Sequence, residues 1–64
     1  MIINGKPMDL APGTSIASLI HHLNLQPEKV VVEVNEVIVT SNLWLDHELS
    51  TGDKVEIVAF VGGG

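Results

Sequence analysis

Only one segment of this 64-residue chain carries helical periodicity. Ile16, Leu19, Ile20 and Leu23 fall at i, i+3, i+4 and i+7, which puts them on one stripe of a helix. Thr14 or Ser15 can serve as N-cap, its hydroxyl accepting from a first-turn N–H, and Pro27 lies beyond the helix end. The helix is expected at about residues 15–24. One apolar stripe can cover one sheet face and no more. The remainder of the fold must then be built from strands beneath a single helical cover.

The strands are legible on both sides of that helix. Asn4-Gly5 is a two-residue hairpin signal, because both residues tolerate positive φ. Met1-Ile2-Ile3 is the expected strand before it and Pro7-Met8-Asp9-Leu10 its partner, with Pro7 suited to a strand start because it lacks an N–H. Ala11-Pro12-Gly13 breaks that strand. Beyond the helix, Val30, Val32 and Val34 alternate with Val31 and Glu33, so the first set is expected to face the core. Asn35-Glu36 reads as a tight turn and Val37-Ile38-Val39 as a short returning strand. The stretch "TSNLWLDHELSTGDK" is irregular, with one helical turn expected near Asn42–Leu45 and a turn at Thr51-Gly52-Asp53. "KVEIVAFV" is the last strand, with Val55, Ile57 and Ala59 on one face and Glu56, Val58 and Phe60 on the other. The order β-β-α-β-β-β predicts an α+β fold, a mixed four- to five-stranded sheet with one main helix packed on one face.

Size and composition narrow the function. A chain this short makes one domain, expected over residues 1–61 with residues 62–64 as a tail. Small-molecule pockets enclose about 300–1,000 Å³, and hollowing that volume from so small a core would remove most of it. A self-contained enzyme is therefore not expected. Eight acids against three bases give a formal charge of −5, which disfavours nucleic acid and anionic membranes and suits a basic protein partner. The absence of cysteine rules out disulfides and thiolate chemistry and fits a reducing cytoplasm. No signal peptide or membrane span is legible.

No catalytic or metal constellation emerges from the polar residues. His21 and His22 are adjacent on the helix, so their side chains diverge by about 100° instead of converging on an ion. His47 is isolated. Asp9, Glu28, Glu33, Glu36, Asp46, Glu48, Asp53 and Glu56 are scattered, as solvated surface acids are. Trp44, the single tryptophan, is expected to cap one edge of the core.

The informative stretch is the last one, "AFVGGG". Glu56 marks one face of the final strand as exposed, and Val58 and Phe60 share that face at period two. Val31 lies on the outer side of its own strand, beside Glu33. If the two strands are neighbours, Val31, Val58 and Phe60 form an apolar patch on the open side of the sheet, a candidate partner interface. Gly62, Gly63 and Gly64 follow, able to extend about 10 Å and to thread a channel too narrow for any side chain. Their end is a carboxylate, ionised at neutral pH and a poor electrophile. To react it must be activated, for example as a mixed anhydride with AMP, and nothing in this chain binds ATP. A second protein would have to do it.

The opening "INGKP", the helix "TSIASLIHHLNL", the strands "VVVEVNEVIV" and the ending "ELSTGDKVEIVAFVGGG" together resemble the thiamine-biosynthesis sulfur carrier family, a branch of the ubiquitin-like β-grasp proteins. The resemblance spans essentially the whole chain, and its most specific part is a terminal glycine pair, here Gly63-Gly64. It implies a carrier rather than an enzyme. An E1-like adenylating enzyme would use ATP and magnesium on the Gly64 carboxylate. A cysteine desulfurase-type sulfur donor would then replace AMP to give a thiocarboxylate, and thiazole synthase would accept the sulfur. The carrier itself would bind no cofactor, be monomeric when free, and work in the cytoplasm. Two related readings share the fold: a carrier for molybdopterin or another sulfur-containing metabolite, and a ubiquitin-like protein modifier. A plain interaction module with incidental glycines is the alternative from a different class.

Overall fold

The computed structural model describes residues 1–60. Val61 and the expected tail, Gly62, Gly63 and Gly64, lie outside the described residues, and with them the expected boundary between domain and tail.

Two strands, β1 (Ile2–Ile3) and β2 (Lys6–Pro7), open the chain as a hairpin. Asn4 and Gly5 both take positive φ, 51° and 80°, the geometry whose twist matches paired strands. The second strand is shorter than the expected Pro7–Leu10. The pairing continues by one bond, Met8 N–H to the Met1 carbonyl at 2.9 Å, and then stops. Met8 and Leu10 leave the sheet to pack against the core from a loop. Pro7 is tolerated because it faces Ile2 between the bonded positions, with its nitrogen turned to the open edge.

The helix α1 (Ile16–His22) begins where Ser15 caps it, its hydroxyl accepting from Ser18 N–H at 3.1 Å. The remaining first-turn donors are met by the loop before the last strand: Ile16 N–H reaches the His47 carbonyl at 3.0 Å and Ala17 N–H the Trp44 carbonyl at 3.2 Å. At the other end Asn24 adopts φ 58°. Its N–H bonds the His21 carbonyl, and Leu25 N–H bonds that of Ile20, the paired closure known as a Schellman motif. This closure ends the helix at His22, two residues before the expected end at about residue 24. Ile16, Leu19 and Ile20 are fully buried, while Leu23 is only partly so.

A short 3-10 turn (Pro27–Lys29) leads into β3 (Val30–Val34), which returns through Asn35-Glu36 as β4 (Val37–Val39). A second 3-10 turn (Ser41–Leu43) falls where one helical turn was expected, and β5 (Lys54–Ala59) closes the fold. The sheet order is β2-β1-β5-β3-β4. β5 runs parallel to β1 and antiparallel to β3, so the sheet is mixed and five-stranded. Val30, Val32, Val34, Val55 and Ile57 turn inward beneath the helix, joined by Ile3, Val39, Trp44 and Leu49. Trp44 is buried as expected of a core cap, and its indole N–H donates to the Val39 carbonyl at 2.8 Å. Ala59 departs from expectation. It shares the strand side of Val55 and Ile57 yet is exposed, because it pairs with Val30 at the very start of β3, and β1 no longer flanks it.

Polar side chains pin both turns to β5. Asn35 donates from its amide nitrogen to Asp53 Oδ1 at 3.0 Å and accepts Lys54 N–H at 3.0 Å. Asp53 Oδ2 accepts Ser50 N–H at 2.8 Å. The Ser50 N–H, then the Asn35 amide, hold the Asp53 carboxyl below the usual carboxylate range. A lowered folded-state value means stabilisation that is present above the unfolded value and lost as pH falls through the folded one. Asp53→Asn is therefore expected to lower the melting temperature at neutral pH, with the gap to the parent closing under acid. A pH series of thermal melts measures this, and a constant gap would contradict it. The Asn35-Glu36 turn places both residues at positive φ, 52° and 70°. Left-handed backbone costs a residue with a Cβ about 1–2 kcal/mol, part of which glycine loses again through its freer unfolded state. Glu36→Gly is expected to stabilise the fold by up to about 1 kcal/mol, seen as a higher melting temperature; a lower one would show that the Glu36 side chain contributes more than its strain.

Candidate functional site

The face of the sheet opposite the helix is set by pairing register. β3 and β5 align Val31 with Val58 and Glu33 with Glu56. Cross-strand partners share a face, so these four side chains stand together on the outer side. Phe60 follows Val58 at period two, and its N–H bonds the Lys29 carbonyl at 3.0 Å, continuing the ladder past the end of β5. Val31 is 36% exposed, Val58 54% and Phe60 47%. The structure thus brings together the three residues singled out as a partner interface and leaves them open. Gly62, Gly63 and Gly64, the remaining candidate positions, lie outside the described residues.

Two further apolar residues belong to this face. Ile38 pairs with Glu33 across β3 and β4 and is 62% exposed. Sequence reasoning passed over it, although the Asn35-Glu36 turn already forces that register. Ile2 pairs with Lys54 across β1 and β5 and is also exposed. Only the parallel crossover places it there, and no local signal announces that.

The outer face carries Glu33 and Glu56, with Lys54 two residues before Glu56 on the same side of β5. Glu33 and Glu56 stand directly opposite each other beside the apolar patch, an arrangement of like charges that weakens a sheet. A basic group supplied from outside would relieve it. At the edge of the same face is an open groove of about 280 Å³, lined by Val31 and Ile38 with Pro27, Thr40 and Trp44 among others. Glu28 is its one charged lining residue among those described. The groove can take one large side chain, but it holds no pair of groups placed for acid–base or nucleophilic work. Among the described residues no three of His, Cys, Asp and Glu converge on a metal position. His21 and His22 are exposed in the last turn of α1. No helix of the described residues is long and apolar enough to cross a membrane.

A mixed five-stranded sheet, one helix across one face and an apolar patch on the other, next to the strand that leads into the glycines, defines a ubiquitin-like β-grasp protein. Comparison with known proteins narrows the class. The sequence model of the ThiS family matches residues 1–64. The sulfur carrier protein ThiS of Bacillus subtilis is 36% identical over 63 residues, which cover 97% of this chain and 96% of that one. A crystal structure of the thiamine biosynthesis protein (ThiS) from Geobacter metallireducens matches with a TM-score of 0.84 at 32% identity, covering 98% of this chain and 96% of that chain. A thiazole synthase of Magnetococcus marinus is 37% identical over 62 residues, 97% of this chain but only 19% of that longer protein. The chain belongs to the ThiS family.

Because Phe60 is half exposed and lies beyond the last core residue of β5, Phe60→Asp is expected to change stability by no more than about 0.5 kcal/mol. A near-parental melting temperature checks this. A large loss would instead make Phe60 part of the core.

Proposed function

We propose that this chain is the sulfur carrier of thiamine biosynthesis and acts as a protein co-substrate, not as an enzyme. The observation that carries the proposal is the continuity of two features. The open apolar face of Val31, Val58 and Phe60 lies on and beside the strand that runs in sequence into Gly62, Gly63 and Gly64. A partner gripping that face is positioned to receive the glycines. Membership in the ThiS family supports the reading, and so does a thiazole synthase that contains a region like this chain.

In this reading an E1-like adenylating enzyme docks on the outer face and joins the Gly64 carboxylate to the α-phosphorus of ATP, releasing pyrophosphate with magnesium as counter-ion. The persulfide of a desulfurase-type donor, its outer sulfur taken from cysteine, attacks the adenylate and displaces AMP to form an acyl disulfide. A second thiol then cleaves the S–S bond, leaving a terminal thiocarboxylate and a disulfide on the donor side. Thiazole synthase then takes the sulfur. The chain contributes a rigid handle, a slender tether and the reacting carbonyl, and needs no cofactor of its own. Basic groups on the partners would meet the Glu33–Glu56 pair and the overall charge of −5, which favours rapid, oriented encounter. The carrier is monomeric when free and works in the cytoplasm. The thiazole synthase similarity favours thiamine over molybdopterin as the destination.

Intact-mass spectrometry tests the proposal directly. Incubation with the activating enzyme, ATP and a sulfur donor is expected to yield a species in which one terminal oxygen has become sulfur. Deleting Gly64 is expected to abolish that species while leaving the melting temperature unchanged, since glycine has no side chain to bury. An unmodified mass for the parent chain under those conditions would overturn the carrier reading, and adducts on other proteins would favour a modifier.

A further inference from the structure

β5 has two edges, and the hydrogen-bond pattern shows that one of them is left open near its end. In an antiparallel ladder, opposed residues alternate between bonded and non-bonded pairs. Asn35 N–H reaches the Lys54 carbonyl at 2.8 Å and Phe60 N–H reaches the Lys29 carbonyl at 3.0 Å, which fixes the phase of the β3–β5 pairing. Lys54, Glu56, Val58 and Phe60 therefore direct their backbone groups to β3. Val55, Ile57 and Ala59 direct theirs to the other side, where β1 lies.

β1 is too short to use them all. It pairs only Ile2 with Lys54 and Ile3 with Val55, and Asn4 N–H then bonds the Val55 carbonyl at 2.9 Å. At Asn4 the chain turns away into the hairpin with φ 51°. The next β5 donor, Ile57 N–H, is met by the Asn4 side-chain oxygen at 2.7 Å, which stands in for the backbone carbonyl of a longer strand. Beyond it nothing among the described residues meets the Ile57 carbonyl or the N–H and carbonyl of Ala59. Ala59 is exposed, and its methyl group is too small to bar the approach of another backbone.

We infer that this free edge of β5, from the Ile57 carbonyl through Ala59, accepts an extended segment of thiazole synthase as an added strand where β1 leaves off. The inference rests on the carrier reading above and says how the chain is held during transfer. Three observations favour that occupant. The open groups are backbone groups in strand geometry, which recognise an extended chain and not a small molecule. They lie on the strand that continues in sequence to the three glycines, so pairing there would aim the tail along the same line. A region like this chain also exists within a thiazole synthase polypeptide. The charge of −5 favours encounter with a neutral or basic segment. Val58 and Phe60 would meet side chains of the same partner on the outer face, so docking would use face and edge together.

Amide hydrogen exchange followed by NMR, with thiazole synthase from the same organism, tests this. In the free chain the Ala59 amide is expected to exchange quickly while that of Val58, bonded to β3, is protected. In the complex the Ala59 amide should become protected. Ala59→Pro removes a donor that the free fold leaves unused, so the sheet should persist while affinity falls about tenfold, the effect of one lost hydrogen bond near the upper end of the usual range. Ala59→Ser keeps the N–H and should bind as the parent does. If the complex forms but the Ala59 amide still exchanges quickly, edge pairing is overturned and the carrier reading stands. Failure of the parent chain to bind thiazole synthase at all would overturn both that partner assignment and this inference.

Discussion

The antiparallel pairing of β3 with β5 is the constraint on which the other features depend. Five residue pairs join the two strands, and three of those pairs include inward-facing valines or isoleucine beneath the helix. The same pairing sets Val31 against Val58 on the outer side, so one register decides both the core and the candidate docking face. A slip of β3 by one residue would turn Val30, Val32 and Val34 outward and put Glu33 beneath the helix. The burial of Val32 and Val55 at zero exposure is what excludes that alternative.

β5 also joins the beginning of the chain to its end, through its parallel contact with β1. Local elements are too short to make this contact robust by backbone pairing alone. Side chains complete it: the Asn4 amide extends the β1 ladder by one acceptor, and the Asn35–Asp53 bond ties the β3–β4 turn to the start of β5. The irregular segment before β5 has its own task. Its carbonyls at Trp44 and His47 satisfy the first donors of α1, so the loop is held by the helix and the helix start by the loop. A chain of this length, without disulfides, gains definition from such reciprocal satisfaction of polar groups as much as from its small core.

The two faces of the sheet carry different residues. The helix side carries the core, with Val32, Val55 and Ile57 buried beneath the helix. The opposite side is free to carry exposed valine, isoleucine and phenylalanine, together with a like-charge carboxylate pair that a fold selected for stability alone would avoid. That open apolar surface lies on and beside the strand that leads in sequence towards the glycines.

Much of this was legible in the residues themselves. The single helical stripe, the turns at Asn4-Gly5 and Asn35-Glu36, the valine alternation and the glycine ending are local patterns with local physical causes. They were enough to specify an α+β fold with one covered face and to select Val31, Val58 and Phe60. What they could not supply were facts of pairing at a distance. The parallel contact of Ile2 with Lys54, the exposure of Ala59, the outward placement of Ile2 and the open edge beyond Asn4 depend on which strands become neighbours and where β1 runs out. Helix length was also overestimated, because the left-handed closure at Asn24 overrides a stripe that continues to Leu23. Periodicity determined which side chains share a face, since that follows from the geometry of a few consecutive residues. Only the tertiary structure decided which backbone edges are shared, since a hydrogen-bond ladder exists only once two distant segments meet.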